Sequence, residues 1–286
     1  MQKICFLSMD DLGDYVTDDH LTIEPLKQLG WDVETVSWRS ETVDWSEFKA
    51  VIIRSPWDYH KDPDAFLRVL RQIEASGARL ENPLEIVEWN FSKTYLSKLS
   101  ERDVRIVPTI WNSRVIGREL VEGWFEFFDA DEVVIKPTIS ATAKDTYRLN
   151  AYSPELKAVF SNRDYMIQPL MKTIISEGEY SLFYFGGEFS HAILKTPKTN
   201  DFRVQEDFGG VNRSIEASDK LLTAAEAALE AIGTNLLYAR VDLVRDDADE
   251  FALMELELIE PALYFRMDAK SPERFANALN RWMNEL

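Results

Sequence analysis

The chain has one cysteine, Cys5, in 286 residues. A single thiol excludes an intramolecular disulfide and a zinc site built on cysteines. Cys5 lies in the apolar run Ile4–Leu7, where a buried structural thiol is expected rather than a nucleophile. Histidine is nearly as scarce. His20, His60 and His191 are too scattered for a zinc motif, and no nucleophile-elbow pattern supports a serine triad. Long apolar runs are missing too. The N-terminal ICFLSM is too short for a signal-peptide core or a membrane span, and no later segment reaches spanning length. A cytoplasmic protein with no membrane partner is the expectation. Basic residues are the minority: 32 against 50 acidic ones leave a net charge of −18. A nucleic-acid partner is therefore not expected, because it needs a basic footprint. A nucleotide remains compatible with this balance, since it arrives with magnesium and meets only a few local lysines.

What is present is the material of a packed protein: 45% hydrophobic and 12% aromatic residues, with length for one large domain or two to three small ones. Strand patterns at Lys3–Ser8, Val33–Trp38 and Ala50–Arg54 alternate with helical patterns at Leu21–Leu29 and Asp64–Ala75. That alternation predicts a parallel α/β unit over the first ~80 residues. Helices are predicted at Phe91–Leu99 and Glu119–Phe128, and short strands at Val133–Lys136 and Tyr165–Gln168. Tyr180–Phe185 and Phe189–Lys195 flank Gly186-Gly187, a hairpin signal. Ser218 and Gly233 bracket a helix, and Ser271-Pro272 opens a last amphipathic one.

The stretch Arg240–Pro261 is the most informative. It reads ARVDLV, a polar turn, then FALMELELIEP. Strand alternation puts Glu255 and Glu257 on one face, roughly 7 Å apart, and Met254, Leu256 and Leu258 on the other. A neighbouring strand can place Asp242 beside them. Acids at alternate positions are also what a solvated sheet face looks like, and Glu260 reads as surface. Crowded among apolar residues, however, like charges need neutralising. Hard oxygen ligands suit magnesium, which completes its shell with waters and phosphates.

Cations precede this hairpin. Lys93 lies in WNFSKTYL and Lys136 ends the strand VVIKP. The loop TISATAKDT follows, with small hydroxyl-bearing residues that permit close backbone approach to phosphates. It has no glycine, and none occurs between Gly123 and Gly178. Gln168-Pro169 interrupts a strand and frees backbone groups. Lys195, Arg203 and Arg240 could converge on one carboxylate cluster, as phosphoryl transfer requires. Arg54, in RSPWDYH, stands at the C-terminal end of the third parallel strand, where α/β sheets bind ligands.

Taken in order, these pieces resemble the ATP-grasp superfamily over nearly the whole chain. The motifs are Lys93, Lys136-Pro137, the small-residue loop, Gln168-Pro169, Glu177-Gly178-Glu179, Arg203, Asp242 and Glu255-Leu256-Glu257. The fuller texture is similar to the subgroup of the cycloserine-biosynthesis ligase. The resemblance implies a fold of α/β and α+β parts: a Rossmann-like pre-ATP-grasp domain (1–90), a central lobe (91–168) and a C-terminal lobe with the metal site (169–286), the lobes enclosing ATP. Lys93 and Lys136 would contact the α/β-phosphates. Ser140, Thr142 and Lys144 would cover the β/γ-phosphates. Gln168 and Leu170 would meet adenine, and Glu177 or Glu179 the ribose. Asp242, Glu255 and Glu257 would hold two magnesium ions, or manganese in their place. Arg203, Arg240 and Lys195 would stabilise the transferred phosphoryl group, with the substrate between Asp10, Arg54, Asp58 and the metals. The family often has Glu-x-Asn where this chain has Glu255-Leu256-Glu257, and its loop usually carries glycines.

The implied reaction is ATP-dependent carboxylate–amine ligation of a small amino-acid-like substrate through an acyl phosphate, intermolecular or cyclising. The alternatives are a small-molecule phosphotransferase and a non-catalytic nucleotide-binding protein. The family often forms dimers, so a homodimer is the assembly the resemblance carries.

Overall fold

A computed structural model describes residues 1–140 and 143–284. Over these described residues the chain builds three sheets in sequence. The first joins β1 (Gln2–Ser8), α1 (Ile23–Gln28), β2 (Trp31–Ser37), β3 (Ala50–Ser55), α2 (Pro63–Ala75) and β4 (Arg79–Glu81). Its strands are all parallel, in the order β2-β1-β3-β4. Parallel sheets are covered on both faces, and β1 shows it. Ile4 and Phe6 pack into one core cluster, Cys5 and Leu7 into another. Burial pushes the Cys5 thiol well above its usual range, as expected of an inert structural thiol.

Next come α3 (Leu84–Asn90), α4 (Tyr95–Ser100), β5 (Ile110–Asn112), α5 (Arg118–Phe128), β6 (Val133–Pro137), β7 (Tyr147–Leu149), α6 (Leu156–Val159) and β8 (Tyr165–Pro169). The four strands pair antiparallel as β5-β8-β6-β7. Val121 and Trp124 of α5 cover this sheet. The helix expected over Phe91–Leu99 is instead split. The Lys93 amide donates to the Thr138 carbonyl (2.8 Å) rather than continuing a helix. The side chain of Asn90 is taken by the backbone of a later strand. The break aims Lys93 at the loop after β6.

The last sheet follows α7 (Lys172–Ser176). It comprises β9 (Glu179–Phe185), β10 (Glu188–Thr196), β11 (Val211–Ile215) and, after α8 (Asp219–Glu230), β12 (Tyr238–Arg245) and β13 (Phe251–Glu257), before α9 (Ser271–Asn284) closes the chain. Its order is β11-β10-β9-β12-β13, all antiparallel. Ser218 caps α8 by accepting from the Leu221 amide. One face of the sheet packs on Leu221, Ala225 and Ala228 of α8 and on Leu96 and Leu99 of α4. Part of the other packs Phe183 and Phe185 with Phe275 and Leu279 of α9 and with Ile4 and Phe6 of the first sheet.

Polar hooks lock the first sheet to the last. The Tyr238 hydroxyl lies 2.9 Å from the Ile53 carbonyl and 2.8 Å from that of Ile259. Asn82 donates to the carbonyls of Tyr238 (3.0 Å) and Leu258 (2.7 Å) and accepts from the Leu237 amide (3.1 Å). Asn90 and Tyr95 bond the backbone of Leu256 and Leu258. These side chains cap the free edge of β13, which would otherwise carry unpaired backbone groups.

His191 of β10 is buried and stacked on Phe183, centroids 4.3 Å apart. A neutral ring satisfies both of its contacts, donating from Nε2 to the Leu263 carbonyl (3.1 Å) and accepting from the Ser190 hydroxyl (3.0 Å). Burial pulls its pKa down to about 4. Since the folded value lies below the unfolded one, the unfolded state binds the extra proton, and stability falls as pH drops from about 6.5 to 4. We expect His191→Gln to lose about 3 kcal/mol of that acid sensitivity, read as the wild-type-minus-variant stability difference between pH 7 and pH 4.

Candidate active site

The cleft is bounded by β6 and β8 on one side and by β9, β12 and β13 on the other, with the loops after β1 and β3 at one end. It encloses about 260 Å³. Its floor is built by register. Asp242 pairs with Glu255 and Arg240 with Glu257 across β12 and β13, while Arg240 and Asp242 face Phe183 and Ser181 of β9. Alternation then sends all four charged side chains to one face.

The register slips between Asp242 and Leu243. This bulge overturns the expectation that Met254 would share the face of Leu256 and Leu258. Leu256 and Leu258 do join the α8-side core, but Met254 packs with Val107, Ile174 and Val204 and lines the cleft beside Glu255. An extra residue on one strand turns two consecutive side chains the same way.

Cations and carboxylates interlock on this floor. The Arg240 guanidinium donates from Nε to both Asp242 oxygens (3.1 Å each) and from Nη2 to Oδ2 (2.8 Å), and also bonds Glu257. Lys195 bridges Glu179 (3.2 Å) and Asp242 (3.3 Å), and Ser181 donates to Asp242. Lys93 reaches Glu255 (3.0 Å) and the Ser140 carbonyl (2.9 Å).

The titration of these groups records which force prevails. Burial opposes the charge on Asp242, but Arg240 and Lys195 outweigh it and hold the carboxyl at about 2. Burial likewise opposes Glu255, and Lys93 with Lys136 keeps it below the usual range. Glu257 goes the other way: burial outweighs Arg240, Glu255 and Asp242 add repulsion, and the carboxyl rises to about 7. Lys136 is pulled down by burial despite Glu255, with its Nζ 4.0 Å from the Met254 sulfur.

Ser140, Gln168, Leu170, Glu179, Arg203 and the cations above line the cleft. The side-chain amide of Gln168 is held by the Thr109 hydroxyl (3.0 Å), and the Leu170 amide by the Glu132 carbonyl (3.0 Å). Arg203 is paired bidentately with Asp201 and stacked 3.7 Å from the Phe208 ring centroid. Glu177 is not on the cleft wall; Arg245 and Tyr180 engage it. Thr142 lies outside the described residues, and Lys144 is exposed and away from the wall.

The substrate roles expected for Asp10 and Asp58 do not fit their positions. Neither lines the cleft: Asp10 accepts from Ser37, and Asp58 is held by Arg39 and Trp38. Arg54 does reach the cleft, but it is buried and spent on Asp19 (2.9 Å) and the Pro261 carbonyl (3.2 Å). Its fork is a clasp between the first and last sheets, not a free carboxylate clamp. Sequence reading also missed cleft residues. Tyr59, Tyr264, Arg266 and Glu260 all line the wall, and Glu260, taken for surface, is half-buried there. The signal was its place one residue before Pro261, where the strand has ended and the chain turns into the cleft.

Over 277 residues the chain is 30% identical to the cycloserine biosynthesis protein DcsG of Streptomyces lavendulae, covering 90% of this chain and 91% of that protein. It belongs to the D-cycloserine synthetase group of ATP-grasp ligases. Residues 4–82 of this ligase match the family described as the N-terminal domain of D-cycloserine synthetase DcsG. The crystal structure of D-cycloserine synthetase DcsG superposes with a TM-score of 0.84 at 28% identity, covering 98% of this chain and 99% of that one. The D-alanine–D-alanine ligase of Bacillus anthracis matches with a TM-score of 0.70 at 13% identity, covering 100% of this chain and 98% of that one, which shows a shared fold. The ligase is thus an ATP-dependent carbon–nitrogen ligase. Among its described residues no helix is long and apolar enough to cross a membrane.

Proposed function

We propose that this ligase activates the carboxylate of a small amino acid with ATP and closes it on an amine of the same molecule, forming a cyclic amide of the cycloserine type. The carrying observation is the interlocked face of Arg240, Asp242, Lys195, Glu255 and Glu257 at the cleft floor. A phosphoryl group in transfer needs several cations and no protein nucleophile. The substrate carboxylate attacks the γ-phosphate, giving an acyl phosphate and ADP. The amine then displaces phosphate and leaves an amide.

In this reading the three sheets correspond to units 1–90, 91–168 and 169–286. Lys93, Lys136 and Ser140 meet the phosphates, Gln168 and Leu170 the adenine, and Glu179 the ribose. Arg203, Arg240 and Lys195 balance the charge that passes to the acceptor. The donor set suits a divalent cation: hard oxygens of Asp242, Glu255 and Glu257 on one face, with Glu257 short of positive charge. Among the described residues the three carboxylates are not gathered into a closed metal cage. Arg240 and Lys93 pair with them; Asp242, Glu255 and Glu257 would be the residues to hold magnesium there. Magnesium, when bound, supplies charge neutralisation and orients the phosphate chain. The setting we propose is cytoplasmic.

The test uses the linear acid obtained by opening the amide of D-cycloserine, with ATP and magnesium. ADP should appear together with a product one water lighter than the substrate. A product carrying an added phosphoryl group would make the protein a phosphotransferase. ATP binding without ADP release, on this acid and on a panel of amino acids, would make it non-catalytic.

A further inference from the structure

Among the described residues of the cleft wall, Glu260 combines a tightly held backbone with a carboxylate left without a counter-ion. The backbone around it is held carbonyl by carbonyl. Tyr238 bonds the Ile259 oxygen (2.8 Å), Trp57 that of Glu260 (2.9 Å), Arg54 that of Pro261 (3.2 Å) and His191 that of Leu263 (3.1 Å). These donors come from β3 and the loop after it and from β10 and β12, so the segment cannot drift when either sheet is fixed.

Every other carboxylate lining the cleft is in an ion pair, apart from Asp207 on the exposed rim. Glu260 has no Lys, Arg or His nitrogen within ion-pair distance among the described residues. Around it lie the Tyr59 hydroxyl, the carboxylates of Glu257 and Glu255 and, beyond ion-pair distance, the Lys93 ammonium, while the Trp57 indole N–H bonds the Glu260 carbonyl. A carboxyl held half-buried in a cleft with no counter-ion is costly unless a ligand completes it.

Resting on the ligase reading above, we infer that Glu260, flanked by Tyr59 and Trp57, is the subsite for the ammonium group of the amino-acid substrate. It positions the substrate so that its carboxylate faces the Arg240–Lys195 cations. The aromatic walls add cation–π attraction for the same charge. The cleft end thereby selects amino acids over hydroxy or des-amino acids.

The test compares D-cycloserine with its des-amino ring, isoxazolidin-3-one, binding to the Mg·ADP-loaded protein by calorimetry. The wild type should favour D-cycloserine by about 100-fold, since a site built for a buried cation rejects the analogue lacking it. Glu260→Gln should reduce that preference to about threefold or less, and Glu260→Met, which keeps the volume without the carboxyl, should do the same. Unchanged Mg·ADP affinity serves as the folding control. A preference retained in both variants overturns the inference, as does a wild type that binds the two rings equally; both outcomes leave the ligase reading standing. A wild type that binds Mg·ADP but neither ring overturns the inference and the proposed substrate together.

Discussion

Glu255→Gln should lower ADP release by about 1,000-fold at saturating ATP while the fold survives. Glutamine keeps the length and volume of the side chain, so the packing around Leu256 and the edge bonds from Asn90 and Tyr95 are untouched. What disappears is a full negative charge directly across from Asp242. Lys93 and Lys136 hold that charge in place against burial, so Glu255 is ionised at neutral pH and available to a hard cation. Lys93 keeps its bond to the Ser140 carbonyl and should stay near the phosphate loop. Single-turnover ADP formation across a magnesium titration is the measurement. Activity within about tenfold of wild type at matched magnesium would remove Glu255 from the metal assignment.

Arg240→Met should cost about 3–5 kcal/mol of stability, since it strips a buried ion pair of one partner. Asp242 is almost wholly buried, with 3% of its side chain exposed, and Arg240 with 9%. Lys195 and Ser181 still bond Asp242 in the variant, whereas Glu257 loses its cation. For a chain of this length the midpoint should fall by roughly 10 °C. Turnover should fall by about 1,000-fold as well, because a guanidinium fork is removed from the transfer site. Added magnesium distinguishes a structural role from the proposed one. With the carboxylates freed, magnesium should raise the melting temperature of the variant by more than that of the wild type. An equal rise in both would place the metal elsewhere.

Much of this site was legible because period and register are local properties. The alternation of MELELIE placed Glu255 and Glu257 together, and the ARVDLV run supplied Arg240 and Asp242 on one face. The bulge beside Asp242 was not legible, because bulges answer to how two strands are matched rather than to either sequence. Lys93 illustrates the same limit. Its neighbours suit a helix, yet the backbone breaks there because Thr138, 45 residues later, offers a carbonyl. Arg54 is the converse: a charged residue at the ligand end of a parallel strand, diverted by Asp19 and Pro261.

By itself, then, the sequence determined the α/β beginning, the glycine-turned hairpin, the carboxylate strand and the order of lysines that marks an ATP-grasp ligase. Those follow from side-chain period, turn chemistry and motif spacing, which act over a few residues. The tertiary structure alone decided which carboxylates have cations and which do not. That question turns on distances of 3 to 4 Å between segments far apart in the chain. It moved Asp10 and Asp58 out of the cleft, made Arg54 a clasp, and left Glu260 fixed in place and unpaired, because ion pairing is settled by packing rather than by neighbours in sequence.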